Sequence, residues 1–469
     1  VDNTLNGKVI DSVDVYCNNV DSYYLGRHVI REGCRPQTYR KAPECSFAFW
    51  HKYGESFSKV NAEINKIDIN RAVIVSGCFY TNKVTLQQTL TPDVMSGNEL
   101  PVYYNDLSPR YKKTIIATIR KLKLPSLNPR TFSDMLRCKV NYNSKPGFRY
   151  SSYLMMNTKS EAIDVIYGVA KRRWNYIEYC ARKNITPERS KLLPSTYTIG
   201  ARNKKEIEYD DLDDAKSRAV HMPEAHCEFN SSPWVDGITN YLINDSNGPL
   251  YIGNNMFKNH RLVKDVGDNK SIIEGDWKRY DSTIFINRIT ICSAIMRLYY
   301  ADDSRRADCH FIALYDTVAV KDYYLPGGYI YRVLHGIPSG VKATSILGSI
   351  VCLFCLIYCI YKFDDKKFKF IVGGDDHLII CKEEGEYISE IKSSAQELGM
   401  DFKYINVKQT LDGPNINDYP TFFKYTVYKG SPVVLPNVAV ERMLLPWNKK
   451  YNNTIEVLRF CRDLFPTLG

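Results

Sequence analysis

Residues 369–380 read KFIVGGDDHLII. An apolar run enters, two glycines and two aspartates follow, and a second apolar run leaves. Such runs predict strands, and Gly-Gly-Asp-Asp between them predicts a tight hairpin turn. On their own the four residues favour an ordinary acidic surface turn. The flanking FIV and LII argue instead for a hairpin embedded in a core. Adjacent carboxylates repel, and burial raises their pKa. They stay ionised together at low cost only when a divalent cation compensates them. A second acidic element elsewhere in the chain has to decide between these readings.

That element is EGDWKRYDSTI at 274–284, which holds Asp276 and Asp281 five positions apart. The preceding KSII is apolar and β-branched enough for a strand, so Asp276 sits at a strand end. A strand ending in Asp and a hairpin ending in Asp-Asp can lie side by side and place Asp276 next to Asp375. Magnesium prefers a few carboxylate oxygens with water and phosphate completing its shell. Two such ions clamp the attacking and leaving oxygens of phosphoryl transfer. Gly373 and Gly374 suit positive φ in the turn and close approach of a nucleic-acid end. Between the two acidic elements lies HGIPSGVKATSILGS at 335–349. Its Pro-Ser-Gly predicts a turn, and Thr344 and Ser345 open an apolar helix whose free amides suit phosphate or sugar.

The chain around these elements has 469 residues, enough for two to four domains. Hydrophobic residues make up 44% and charged ones 25%, which excludes a disordered chain. Lys plus Arg exceeds Asp plus Glu by 63 to 52, a formal charge of +11 that leans toward a polyanionic partner. The 14 cysteines are scattered among apolar residues and fit free thiols in a reducing compartment. Cys352 and Cys355 form a CxxC inside an apolar run without a second pair, so core packing outweighs zinc. Residues 343–361 carry no charge and have the length of a membrane span. The Ser-Gly turn before them and the Gly-Gly-Asp-Asp hairpin after them favour a buried helix between two parts of one site.

Along the chain, 110–123 reads as a basic amphipathic helix, either a solvated surface or a nucleic-acid contact. Residues 159–183 read as a helix with a KRRW cluster. Residues 271–284 and 368–381 read as strands, and 285–300 and 386–399 as helices. Strands and helices interleave, so the class is α+β or α/β.

Asp-x4-Asp, then SGxxxT, then GDD, in this order and spacing, resemble motifs A, B and C of viral RNA-dependent RNA polymerases. KSRAVHMPEAHCEF at 216–229 resembles motif F, NSKPGFRY at 143–150 motif G, ELGMDFKYINVK at 397–408 motif D, and TFFKYTVYKGSPV at 421–433 motif E. The likeness covers about residues 140–435. The wording of DWKRYDSTI and HGIPSG is similar to the partitivirus and picobirnavirus neighbourhood of double-stranded RNA viruses. The resemblance implies an α+β right hand of fingers, palm and thumb with an antiparallel palm sheet. Residues 1–110 would be an N-terminal extension against the fingers, 111–265 the fingers, 266–433 the palm with a fingers insertion near 290–335, and 434–469 the start of a thumb. So short a thumb implies truncation or continuation on further sequence.

The implied activity is template-directed nucleotidyl transfer. Asp276 and Asp375 would hold two magnesium ions, with manganese as a substitute and Asp376 as an outer ligand or bystander. Lys408 would protonate the leaving pyrophosphate, with Lys403 competing for that role. Lys216, Arg218 and, more weakly, Arg202 would bind the triphosphate. Asp281, Ser339, Gly340 and Thr344 would face the nucleotide. Lys145, Gly147, Gly374, Lys424 and Tyr425 would face RNA. Many relatives carry Asn or Asp four residues after the motif B threonine, where this chain has Gly348. Ribose recognition would then fall on Asp281, Ser339 and Thr344 or a water, although Asp281 could instead cap the following helix. Implied partners are template and nascent RNA, nucleoside triphosphates and a capsid protein, in host cytoplasm within virions or replication particles, without membrane insertion. A reverse transcriptase would show an aromatic before Asp-Asp and a Gln in the motif B turn. A GGDEF-type nucleotide cyclase lacks the SGxxxT helix. A membrane-anchored interaction protein would rest on 343–361 alone.

Overall fold

The computed structural model describes residues 22–27, 39–41, 79–81, 107–138, 140–202, 204–205, 218–245, 247–253, 261–266, 271–300, 305–324, 329–381, 387–408, 419–428 and 430–435. Lys216, most of the N-terminal extension and all but the first two residues of the expected thumb lie outside them. The strands in chain order are β1 (Ser22–Arg27), β2 (Tyr39–Lys41), β3 (Phe79–Thr81), β4 (Thr196–Arg202), β5 (Lys204–Lys205), β6 (Arg218–Met222), β7 (Ser271–Trp277), β8 (Lys321–Tyr324), β9 (Tyr329–Val333), β10 (Phe368–Gly373), β11 (Asp376–Cys381), β12 (Phe402–Lys408), β13 (Tyr425–Tyr428) and β14 (Ser431–Val434). The helices are α1 (Pro109–Leu122), α2 (Phe132–Leu136), α3 (Phe148–Tyr153), α4 (Ile163–Arg182), α5 (Ala225–Asn244), α6 (Arg261–Val266), α7 (Ile286–Arg297), α8 (Arg305–Ala319), α9 (Thr344–Cys359) and α10 (Ile388–Glu397).

A four-stranded antiparallel sheet, ordered β10-β11-β7-β12, carries the acidic elements. Strand period explains its two faces. Ile273, Trp277, Phe370, Val372, Ile379 and Ile405 point into the main core. Ile272, Ile371, Leu378 and Ile380 point the other way, where Tyr251, α6 and Phe422 cover them. The strand expected over 271–284 stops at Trp277, because a turn with Arg279 at φ 51 and a 3-10 segment at Tyr280–Ser282 follow.

Helix α9 is the apolar segment that resembled a membrane span. It has 16 residues, and every residue from Ile346 to Cys359 is buried in the main core. It contacts α7, α10, α1 and β10, which explains a helix apolar on all faces. No helix among the described residues is long and apolar enough to cross a membrane. Burying each large side chain contributes about 1.5–3 kcal/mol, so this one helix anchors much of the core.

Helix α1 forms as the sequence predicts, capped by Ser108, whose Oγ accepts from the Tyr111 amide at 3.3 Å. It begins two residues before 111, where the fingers were expected to start. Tyr111 packs on Phe354 and Tyr358 of α9, with ring centroids 5.7 and 5.3 Å apart. The Arg110 guanidinium sits 3.8 Å over the Tyr358 ring, and Lys121 Nζ donates to the Asp365 carbonyl at 2.7 Å. Two of its basic side chains are thus tied down, one on α9 and one at the start of β10.

A five-stranded sheet, β1-β9-β8-β4-β6, stands apart from the first. Behind it lies a buried basic cluster. Lys321 Nζ donates to the carbonyls of Val318 and Gly336 at 3.1 and 3.0 Å, and burial, with Arg189 nearby, lowers its pKa to about 7. Burial pushes His221 and His335 down to about 3 and His226 to about 4, from an ordinary value near 6.5. These imidazoles stay neutral in the fold, while in the unfolded chain they protonate below about pH 6.5. Between those values the unfolded state binds more protons, so stability falls as pH falls. Unfolding midpoints measured from pH 7 to pH 5 are expected to decline steadily; a flat or rising profile would contradict this burial.

Candidate active site

The hairpin that opened the sequence reading has a two-residue turn. Gly373 pairs with Asp376, leaving Gly374 and Asp375 at the apex. Gly374 has φ +67 and Asp375 does not lie at positive φ, the pattern of a type II′ turn. Nothing lies within 4 Å of where a Gly374 Cβ would be, so the apex is open to an approaching group. Gly373 serves a different purpose from the expected positive φ. A Cβ there would lie 2.4 Å from Cζ of Phe423, so it admits that ring. Asp375 is exposed and Asp376 half-buried at the start of β11.

The ladder between β11 and β7 ends with His377 opposite Gly275. One residue further on each strand stand Asp376 and Asp276, and Asp375 is one beyond. The acidic residues of the two elements therefore share one rim of the sheet. His377 itself is a packed strand residue: its Nδ1 lies 2.9 Å from the Asp375 carbonyl and its ring is buried against Trp277.

Strand β12 brings a lysine to this rim, and it is Lys403. Phe402 pairs with Trp277 and Tyr404 with Asp276, so Lys403 is the extra residue of a β-bulge. Bulges re-aim side chains, and Lys403 Nζ lies 3.4 Å from Asp276 Oδ2. Lys408, the expected catalytic lysine, pairs with Ile272 instead. Four residues along a strand is about 13 Å, so its position in the ladder takes it away from the carboxylates.

Two residues before Asp276 on the same face, Glu274 is buried, and it ties β7 to the segment before β13. Thr421 Oγ1 donates to its Oε1 at 2.5 Å and the Tyr404 hydroxyl donates to the same oxygen at 3.3 Å. Period-2 alternation already put Glu274 beside Asp276, and the sequence reading passed over it. The turn at 422–425 closes with mutual backbone bonds between Phe422 and Tyr425 of 2.8 and 2.9 Å. Its central residues, Phe423 at φ 52 and Lys424 at φ 65, adopt a conformation that bulky L residues avoid. Lys424 is exposed on this turn, and the ring of the preceding Phe423 packs on Gly373 of the hairpin.

The Pro-Ser-Gly turn packs between the 281–284 segment and β6. Ile337 N donates to the Asp281 carbonyl at 2.9 Å, and His221 N donates to Ser339 Oγ at 3.3 Å. Ser339 and Gly340 are exposed. Thr344 Oγ1 lies 2.5 Å from the Pro338 carbonyl and 2.6 Å from that of Val341, so its hydroxyl braces the turn. The N-cap position of α7 is Phe285, four residues beyond Asp281. Across β4 and β6, Arg202 and Arg218 are paired in the ladder, which brings two of the expected triphosphate residues to one strand end. Gly147, at φ +112, lets its turn sit against Glu224, where a Cβ would be 2.7 Å from the Glu224 Cα. Lys145 is exposed on the same turn.

Among the described residues no cluster of three or more His, Cys, Asp or Glu side chains closes around a metal ion. A phosphate-handling magnesium site does not need such a cage, because substrate oxygens and water complete its shell. Exposed Asp375 and partly exposed Asp276, the latter already facing a cationic group, fit that donor set.

Comparison with known proteins gives one family and one fold. Residues 135–454 match the family described as viral RNA-dependent RNA polymerase. The structure is similar to that of the Sicinivirus 3Dpol RNA-dependent RNA polymerase, with TM-score 0.56 and 14% identity, over 82% of this chain and 85% of that one. No curated protein sequence matches.

Proposed function

The chain belongs to the viral RNA-dependent RNA polymerases, which build RNA on an RNA template, and from that premise we propose how its own residues carry the reaction. The observation that carries the proposal is the shared rim on which Asp276 stands next to the end of β7 and Asp375 lies at the apex of the adjacent hairpin, with α9 bonded to that apex through Ser349.

The chain joins the 3′-oxygen of the nascent strand to the α-phosphorus of a nucleoside triphosphate and releases pyrophosphate. Asp276 and Asp375 would hold two magnesium ions, with manganese as a substitute and Asp376 as an outer ligand or bystander. When bound, the ions lower the pKa of the 3′-hydroxyl and neutralise the triphosphate. Arg218 and Lys216 and, more weakly, Arg202 are assigned to the phosphates, for which a guanidinium is suited. Ser339, Gly340 and Asp281 line the place of the ribose, behind which Thr344 braces the turn. Gly374, Lys424 and Tyr425 face the nascent end, and Lys145 and Gly147 the template. We assign the proton for the leaving pyrophosphate to Lys403 rather than Lys408. Removing a general acid costs about 10²-fold or more, so Lys403→Ala should slow turnover at saturating nucleotide by roughly that factor. Lys408→Ala should stay within about twofold of wild type by the same reasoning. The reverse ranking would return the role to Lys408.

The finer placement near double-stranded RNA viruses, with a capsid partner in host cytoplasm, is part of this proposal and rests on DWKRYDSTI and HGIPSG. Transcription from a fully double-stranded template would support it.

Sugar selection tests the site as a whole. A Cβ at Gly348 would meet only Tyr280 Cε1, at 4.0 Å, so the backbone there accepts a side chain, and Gly348→Asn restores the residue type of many relatives. Competition between ribo- and deoxyribonucleotides is expected to favour the ribonucleotide in the wild type and to shift several-fold in the variant. Incorporation of deoxynucleotides alone would mark a reverse transcriptase. An unchanged ratio would make position 348 packing only.

A further inference from the structure

The third residue of the SILGS stretch after Ile346 sits at an unexpected contact. Ser349 is fully buried in α9, and its hydroxyl makes two bonds. It donates to the Ser345 carbonyl at 2.6 Å, which orients the oxygen, and it accepts from the Gly374 amide at 2.7 Å. That amide belongs to the apex of the hairpin, one residue before Asp375. One residue earlier in the helix, the Gly348 carbonyl accepts from the Tyr280 hydroxyl at 2.6 Å, and Tyr280 is four residues beyond Asp276. One turn of α9, from Ser345 to Ser349, is therefore bonded to both acidic elements. Gly348 belongs to the same arrangement, since Tyr280 packs over the helix with no side chain at 348 between them.

We propose that Ser349 is a positioning residue that sets the Asp375 turn relative to Asp276, so that the metal affinity of the site depends on its hydroxyl. The inference rests on the reading of Asp276 and Asp375 as metal ligands. Without the hydroxyl, the Gly374 amide loses this acceptor and the apex peptide can rotate, taking Asp375 away from the geometry in which both carboxylates meet one site.

The test is Mn2+ binding to the nucleotide-free protein, followed by electron paramagnetic resonance, in wild type, Ser349→Ala, Ser349→Cys and Asp375→Asn. Alanine is smaller than serine and cysteine is larger but a weak acceptor, so weakening shared by both variants tracks the lost hydrogen bond rather than one change of volume. Both Ser349 variants are expected to bind Mn2+ about fivefold more weakly, the equivalent of one ordinary hydrogen bond, with melting curves that show a folded chain. Wild-type affinity in Ser349→Ala or in Ser349→Cys, beside weakened binding in Asp375→Asn, would overturn the role of Ser349 and leave the metal ligands standing. Wild-type affinity in Asp375→Asn would overturn both.

Discussion

Asp375→Asn is expected to reduce nucleotide incorporation on the order of 10³-fold, the scale on which removal of a group that stabilises developing charge is felt. The substitution keeps size and polarity but removes the charge and one acceptor oxygen. Asp375 is exposed at the apex of a two-residue turn, so the fold gives no reason for a stability loss. The melting temperature should stay within a degree or two of wild type, by the usual behaviour of exposed positions. Asp376→Asn is the informative neighbour. That residue pairs with Gly373 in the ladder and stands half-buried, so its loss should cost activity less than that of Asp375. Single-nucleotide incorporation rates on both variants decide the matter. An Asp375→Asn enzyme within tenfold of wild type would remove Asp375 from the reaction.

The second large effect comes from one methyl group. Gly340 lies so close to β6 that a Cβ would fall 1.9 Å from the His221 carbonyl oxygen, with Pro223 Cδ at 3.4 Å. The first obstacle is backbone, so no rotamer change relieves it. His221 is held in the ladder opposite Ile199, and its imidazole Nδ1 lies 2.6 Å from the Tyr323 hydroxyl. Gly340→Ala must therefore push the Pro-Ser-Gly turn away from β6 or break the pairing of β6 with β4. Overpacking of this kind costs about 1–3 kcal/mol, enough to lower the melting temperature by several degrees. Activity should fall further than stability, because the turn and β6 bear Ser339 and Arg218. Gly348→Ala is the internal control, since only Tyr280 Cε1 comes within 4.0 Å there. Equal melting temperatures for Gly340→Ala and Gly348→Ala would contradict the close packing of turn and strand.

The elements that the sequence made legible are those written in apolar pattern. KFIV and HLII could only be strands with a turn between them, and SII before Asp276 could only be a third. The charge-free stretch after the Ser-Gly turn had to be a helix buried on all sides once it was placed between two halves of one site. The rest was hidden for physical reasons. The bulge that delivers Lys403 carries no Gly or Pro to announce it, so the motif D likeness favoured Lys408 and left Lys403 as its competitor. Phe423 and Lys424 are held at positive φ by surrounding contacts, against their own preference, and local sequence cannot show that. Gly373 read as a turn glycine because its partner, Phe423, is fifty residues away. Helix α1 displayed its basic residues but not the Tyr358 and Asp365 that receive two of them. The bond between Ser349 and Gly374 joins residues 25 apart, and nothing in SILGS distinguishes a core serine from a positioning one.

The central claim is that this rim copies a template into RNA. Extension of a defined primer–template with magnesium, offering one ribonucleotide at a time, tests it most directly. The structure predicts incorporation of the nucleotide complementary to the next template base, a change of preferred nucleotide when that base is changed, and loss of the product with Asp375→Asn. Incorporation that ignores the template base, or that persists at the wild-type rate in Asp375→Asn, would contradict it.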